Sequence, residues 1–327
     1  EEVARIHGFD KVPSTALDRA PGVAAPTATR AQQVERRVRR AAAARGLDEA
    51  VTWSFISEAE AASFGPAWRV TNPISEDMKV MRPSLLPGLI AAARRNVHRG
   101  APSVRLFEVG RRYLAEGERP TVSIVLAGER TSRGWASGKA QAFDPYDAKA
   151  DVLALLEAAG APVGNLQVFM DAGPTWHPGR SGRLGLGPKT VLASFGEIHP
   201  NLAKALDAPA GTVAAEIYLD AIPAPRSGGR ARPHFAPPAL QAVSRDFAFI
   251  VPAEISADQL VRAVRGADKQ AIRAARVFDR FETPDGLSLA VEVSLQPGEK
   301  SFTDESIAAI SRQVVAAAEK LGAKLRG

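Results

Sequence analysis

Any chemistry in this chain must come from cations and a few acids, because the usual reactive residues are missing. The 327 residues include no cysteine, which excludes disulfides, thiolate zinc sites and a cysteine nucleophile. The five histidines (His7, His98, His177, His199 and His234) are scattered, and no two have the His-x-x-x-His spacing of a metal site. No Gly-x-x-x-x-Gly-Lys phosphate loop, Gly-x-Ser-x-Gly elbow or zincin motif is present. What stands out is cationic. Arg262, Arg265, Lys269, Arg273, Arg276 and Arg280 fall within 19 residues, against only Asp268 and Asp279. Such a cluster can position RNA phosphates without reading sequence. It is a local excess: from Arg245 onward, 12 Lys/Arg meet 12 Asp/Glu. A second set (Arg30, Arg36, Arg37, Arg39, Arg40 and Arg45) faces one acid, Glu35. It reads either as a solvated face over an Ala/Val stripe or as a phosphate-facing surface. The net charge of +6 and pI near 9.8 suit a polyanionic partner, but an Arg-favouring genome gives the same sign.

The elements that must position these groups read as follows. Residues 1–12 resemble a helix end, and Pro13 to Thr29 form a Pro/Ala/Thr-rich connector. A helix is predicted over Ala31–Arg45, stopped by Gly46, and another over Ser84–Val97. Val51 to Ile56 reads as a strand. Val104–Tyr113 and Thr121–Ala127 read as neighbouring strands turning near Glu116-Gly117. A helix over Ala148–Ala159 and short strands at 165–169, 182–186, 190–196 and 213–219 complete this part. The mixture argues for an α+β fold rather than strict βαβ repetition. Ala221 to Pro238, with five prolines, reads as an interdomain linker. The remainder parses as βαββαβ, a ferredoxin-like unit whose two helices leave one sheet face open. Ser256 and Thr303 are the expected helix caps, and Thr283-Pro284-Asp285-Gly286 the turn between the middle strands. In the second of those strands Leu287, Leu289, Val291, Val293 and Leu295 share one face; Ser288, Ala290, Glu292 and Ser294 share the other. No apolar run of about 18 residues occurs, so no membrane span is expected. The start, Glu1-Glu2-Val3-Ala4-Arg5, is no signal peptide, and its lack of Met fits a piece of a longer chain. The absence of cysteine fits a reducing cytoplasm, the expected location.

Several longer strings occur in order: Asn72-Pro73-Ile74-Ser75-Glu76-Asp77; Met81-Arg82-Pro83-Ser84-Leu85-Leu86-Pro87-Gly88-Leu89; Arg105-Leu106-Phe107-Glu108-Val109-Gly110-Arg111-Arg112-Tyr113; His177-Pro178-Gly179-Arg180-Ser181-Gly182; and Gly196-Glu197-Ile198-His199-Pro200. Their order and spacing resemble the synthetase-like module of bacterial phenylalanyl-tRNA synthetase beta subunits. Ser244-Arg245-Asp246-Phe247, Val277-Phe278-Asp279 and Phe302-Thr303-Asp304-Glu305 look like the anticodon-binding domain of the same family, and Glu1 to Asp10 like the tail of the preceding domain. The resemblance covers essentially the whole chain. It implies residues 1–20 as the end of a preceding domain plus connector, and 21–222 as a class II synthetase-like antiparallel sheet with flanking helices. Residues 223–238 become a linker and 239–327 a ferredoxin-fold anticodon-binding domain. The family's N-terminal domains, including its editing module, would be absent.

The resemblance also implies a role. The chain would bind the anticodon stem-loop of tRNA(Phe) and assemble with alpha subunits in an (αβ)2 heterotetramer. Those subunits would perform the ATP-dependent attachment of phenylalanine. An adenylating site wants arginines on phosphates and carboxylates on Mg2+. Arg82, Glu108, Arg111, Arg112 and Arg180 are of the right types, but no spacing shows them converging. Glu108 is expected to pair with a neighbouring arginine, and His177 with Arg180 to fix a turn; no residue is assigned to catalysis. Glu1 and Glu2 match a family magnesium site that also needs upstream aspartates, so the site would be incomplete here. For RNA, the expected contacts are Arg326, Ser288 and Asp279 on the open sheet face, joined by Lys269, Arg273 and Arg276. The alternative is an RNA-binding or protein-binding scaffold with no ligase role.

Overall fold

A computed structural model of the protein describes residues 1–15, 27–224, 234, 236–284 and 286–326. Helix α1 spans Glu2–His7, with a 3-10 turn after it, and buries no side chain. Much of the expected connector and linker, and Asp285 of the expected turn, lie outside the described residues.

Helix α2 runs Arg30–Ala44, opened by a capping box between Thr29 and Gln32 and followed by Gly46 at φ +78°. Val34, Val38 and Ala42, spaced four apart, supply its buried stripe. Short strands β1 (Asp48–Glu49) and β2 (Phe55–Ile56), helix α3 (Glu58–Ala61) and β3 (Val80–Met81) follow. The strand expected over 51–56 shrinks to Phe55–Ile56, which pairs with β3. Val51 and Trp53 are exposed instead and belong to no strand pair among the described residues. Helix α4 covers Leu86–His98, with Pro87 in its first turn. Strands β4 (Ser103–Leu114) and β5 (Gly117–Thr131) form a long hairpin, and β6 (Gln141–Ala142) pairs back onto β5. Then come α5 (Pro145–Ala159), β7 (Gln167–Phe169), β8 (Trp176–Gly185), β9 (Val191–Ile198), α6 (Pro200–Ala205) and β10 (Val213–Tyr218).

The resulting sheet has the order β1-β4-β5-β10-β9-β8-β7, antiparallel except between β1 and β4. Strand alternation sorts its two faces. Phe107, Val122, Ile124 and Leu126 join the core with α2 and α5; Val104, Val125, Ala127 and Ala214 join the core with α4. With both faces covered, every residue of β5 from Thr121 to Ala127 is buried. One glycine is required where β9 crosses β8. Gly196 has φ +137°, and a Cβ there would lie 2.4 Å from the Ser181 Cα. Gly196→Ala is expected to cost roughly 2–4 kcal/mol through strain and overpacking, read as a lower urea midpoint. An unchanged midpoint would show that the crossing relaxes.

The C-terminal part contains β11 (Val243–Val251), α7 (Ala257–Ala267), β12 (Ile272–Thr283), β13 (Gly286–Leu295), α8 (Asp304–Glu319) and β14 (Lys324–Leu325). Its sheet order, β12-β13-β11-β14 with antiparallel pairs, is that of a ferredoxin-like split βαβ unit. Capping boxes at Ser256 and Thr303 start the two helices. Phe249, Leu289, Val291, Val293 and Leu295 meet Leu260, Val264, Ile310 and Val314 in one core.

Candidate nucleic-acid interface

Register decides what the other face of the small sheet presents. Ser288, Ala290, Glu292 and Ser294 point away from the helices, as alternation requires. Strand β12 would not present Asp279 and Phe281 beside them if it were regular, since Val277 pairs with Val291 on the core side. A bulge between Val277 and Asp279 takes up one extra residue, Phe278, and inverts the phase. Asp279 then lies opposite Ala290, and Phe281 opposite Ser288, both on the open face. Across the sheet, Ile250 flanks Ser288 and pairs with Lys324 of β14.

Arg326 completes the group. Its backbone N–H donates to the Ala248 carbonyl at 2.8 Å, so this near-terminal residue is tied to the sheet. Its guanidinium lies 5.9 Å from the Phe281 ring centroid, and its Nη1 makes a long 3.5 Å contact to the Ser288 hydroxyl. Ser288 is buried to 3% beneath these neighbours, whereas Phe281 is 59% exposed. Thus Arg326 and Ser288 come together, Asp279 stands one pair away, and Phe281 joins them. Sequence reasoning missed Phe281. An aromatic in an Arg-rich strand was the available signal, but the bulge that turns it outward was not visible. A half-exposed ring beside a guanidinium and a hydroxyl offers a stacking plane and hydrogen-bonding groups, which single-stranded RNA recognition needs.

The other expected cations lie apart. Arg273 is eight residues along β12 from Phe281, on the order of 25 Å at strand rise. Lys269 sits in the turn before the strand, where Asp268 accepts from the Gln270 and Ala271 N–H groups. Half of the six-cation cluster is internally paired: Arg262 with Asp258, Arg276 with Glu292, and Arg280 with Glu282. Arg265, Lys269 and Arg273 have no carboxylate partner among the described residues. Sequence proximity therefore overstated the cluster.

In the large module, the four basic side chains singled out in the sequence as types for clamping phosphate, Arg82, Arg111, Arg112 and Arg180, each have an internal partner. Arg82 Nη1 donates to Glu108 Oε1 at 2.8 Å and to the Thr52 hydroxyl at 2.8 Å; both ions are buried. Gly110 leaves room for this guanidinium, since a Cβ there would lie 2.5 Å from Arg82 Nη2. Arg111 pairs with Glu35 at 2.8 Å, and Arg180 with Glu197 at 2.6 Å. His177 Nδ1 accepts from the Gly179 N–H, fixing the expected turn in β8. Of the α2 arginines, Arg39 pairs with Glu49, Arg45 with Asp151, and Arg30 donates to the Pro223 carbonyl.

Arg112 donates to the Thr121 hydroxyl and lies 4.4 Å from the Tyr218 ring centroid. Burial, and then the charge of Glu216, push the Tyr218 phenol up to about 12, while Ser194 and Arg112 act against them. A raised folded value means that the native state holds this proton more tightly than the unfolded chain. That stabilisation is complete below the unfolded value, roughly 10, and is lost as pH rises through the folded one. Tyr218→Phe cannot ionise, so its unfolding free energy should fall less steeply than wild type across that window. Parallel curves would contradict the assignment.

The terminal acids do not make a metal site by themselves. The Glu2 carboxylate accepts from Arg5 Nη2 at 2.6 Å, and Glu1 is exposed. No group of three or more His, Asp or Glu is placed to hold a metal among the described residues. Magnesium prefers about six oxygen ligands, so one free and one paired carboxylate do not fit it.

Comparison with known proteins adds the lineage. Residues 15–219 match the family described as Phenylalanyl tRNA synthetase beta chain CLM domain. Residues 238–326 match the one described as Ferredoxin-fold anticodon binding domain. The chain belongs to the phenylalanine–tRNA ligase beta-subunit family. The phenylalanine–tRNA ligase beta subunit of Novosphingobium aromaticivorans is 62% identical over 339 residues, covering 100% of this chain and 43% of the relative. That of Zymomonas mobilis is 58% identical over 330 residues, covering 99% and 42%. The chain therefore spans less than half the length of the beta subunits it matches. A crystal structure of pyrrolysyl-tRNA synthetase from Desulfitobacterium hafniense covers 58% of this chain and 67% of that one, at 17% identity and a TM-score of 0.44, too low to carry an argument. Among the described residues no helix is long and apolar enough to cross a membrane.

Proposed function

We propose that this chain is the tRNA-contacting and assembly portion of a phenylalanine–tRNA ligase. In this reading residues 239–327 hold the anticodon stem-loop of tRNA(Phe), with 223–238 as linker. Phe281 offers a stacking plane and Arg326 contacts base edges or the adjacent phosphate, while Ser288, covered by these two, supports Arg326 and reaches RNA only when that side chain moves aside. Asp279 accepts from a base amino group. Lys269 and Arg273 contact phosphates at a distance, and Arg276 does so only by leaving Glu292. The observation that carries the reading is the meeting of Arg326, Ser288 and Phe281 on the open sheet face.

Residues 21–222 serve assembly with alpha subunits in an (αβ)2 complex in the cytoplasm. ATP and magnesium belong to the partner's chemistry, and no step of it runs through this chain. The internal pairing of Arg82, Glu108, Arg111 and Arg180 supports this, because each is already neutralised. Two assays test the proposal. Pyrophosphate exchange with ATP and phenylalanine should be absent with the chain alone; activity without a partner would overturn the division of labour. Binding of tRNA(Phe) should weaken steeply with salt, as counterion release requires. Salt-independent binding, or none at low salt, would favour a protein-binding scaffold.

A further inference from the structure

The hairpin between β5 and β6 carries a group that the proposed function does not use. Trp135 at its tip is fully exposed, at 101%. The loop is built rather than slack. Gly134 and Gly138 exchange backbone hydrogen bonds at 3.2 and 2.8 Å, and Gly138 takes φ +74°. Ser137 Oγ donates to the Ser132 carbonyl at 2.9 Å. The base of the hairpin is fixed by Arg130, which pairs with Asp147 at 3.3 Å. A surface concavity of about 860 Å³ is lined by Arg133, Gly134, Trp135, Gly138, Lys139 and Ala140.

Charge and composition decide what fits there. Residues 130–143 contain Arg130, Arg133 and Lys139 and no Asp or Glu. Arg133 and Lys139 have no ion-pair partner among the described residues. No second large apolar side chain lines the concavity, so it lacks the apolar core expected where a protein partner docks. A bare indole plane that shares one concavity with two uncompensated cations instead matches a nucleotide: the base stacks on the ring, and the phosphates meet the cations. We infer that the Trp135 loop is a second RNA contact, taking an unpaired nucleotide with Arg133 and Lys139 on its flanking phosphates. The inference rests on the RNA-binding reading of the chain and places a further contact outside the anticodon-binding domain.

The test uses the full chain with two probes, whole tRNA(Phe) and a single-stranded oligoadenylate. Trp135→Ala, a change at a fully exposed site, is expected to weaken tRNA binding about 5- to 150-fold, the range of one base–aromatic stack. Trp135→Phe should recover part of the loss. The double variant Arg133→Gln/Lys139→Gln should reduce the slope of log affinity against log salt by about 1–2. Oligoadenylate should quench indole fluorescence in wild type and less in Trp135→Ala. If Trp135→Ala binds both probes as wild type while Phe281→Ala does not, this inference falls and the anticodon reading stands. If neither change affects RNA binding, both fall. Loss of alpha-subunit binding with RNA affinity intact would mark the loop as a protein contact and overturn the proposal.

Discussion

Arg82→Met is expected to destabilise the large module by about 3–5 kcal/mol, the usual cost of leaving one partner of a buried ion pair alone. The pair is deeply placed, with Arg82 at 4% and Glu108 at 2% exposure. Glu108 would keep only the Thr52 hydroxyl at 2.7 Å and the Thr52 N–H at 3.3 Å. The lost guanidinium also donates from Nε to the Arg111 carbonyl, tying the segment before α4 to strand β4. Thermal unfolding measures the loss. Adding Glu108→Leu should recover most of it, since removing both charges of such a pair is often neutral. A single-variant cost below about 1 kcal/mol would mean that water reaches the site and relieves the charge. Function enters through the same pair. Arg82 and Glu108, residue types that a phosphate-clamping site would use, are here engaged with each other and with Thr52.

Phe281→Ala and Arg326→Ala should each weaken binding of the tRNA(Phe) anticodon stem-loop, by about 1–3 kcal/mol for the stacking ring. Arg326→Ala should act on two counts. It removes a cation, lowering the salt slope, and it uncovers Ser288, whose hydroxyl then turns to water. The two losses should not add, because Arg326 lies over the Phe281 ring and each residue fixes the other. Arg276→Ala serves as a control. Its charge is already met by Glu292, so its loss should change affinity little. Isothermal titration at fixed low salt measures all three; a larger effect from Arg276→Ala than from Phe281→Ala would relocate the interface.

Much of this architecture was legible in the sequence because it rests on local rules. The stripe of α2, the caps at Ser256 and Thr303, and the alternation of β13 each follow from spacing alone. The β4–β5 hairpin followed from two apolar runs and one turn. The 51–56 strand did not form at full length, because alternation marks a segment fit to pair but does not supply a neighbour. Val51 and Trp53 keep that character while exposed. The candidate site was half legible. Arg326, Ser288 and Asp279 came from the resemblance, and the structure brings the first two together. Phe281 required knowing that β12 bulges at Phe278, a one-residue shift that inverts every later side chain. The cationic run misled in the opposite way. Proximity in sequence counted Arg262, Arg276 and Arg280 as available, and their partners come from an earlier helical turn, a neighbouring strand and a residue two positions on.

If the open sheet face works as proposed, it recognises unpaired bases. The most direct measurement compares two hairpins of equal length and charge at one salt concentration. One carries the tRNA(Phe) anticodon loop; in the other the loop is closed by base pairing. The open loop should bind at least about tenfold more tightly, corresponding to roughly 1.4 kcal/mol, and Phe281→Ala should lose that preference. Equal affinity for the two hairpins in the wild-type chain would contradict the proposal, leaving a surface that attracts phosphates and reads nothing.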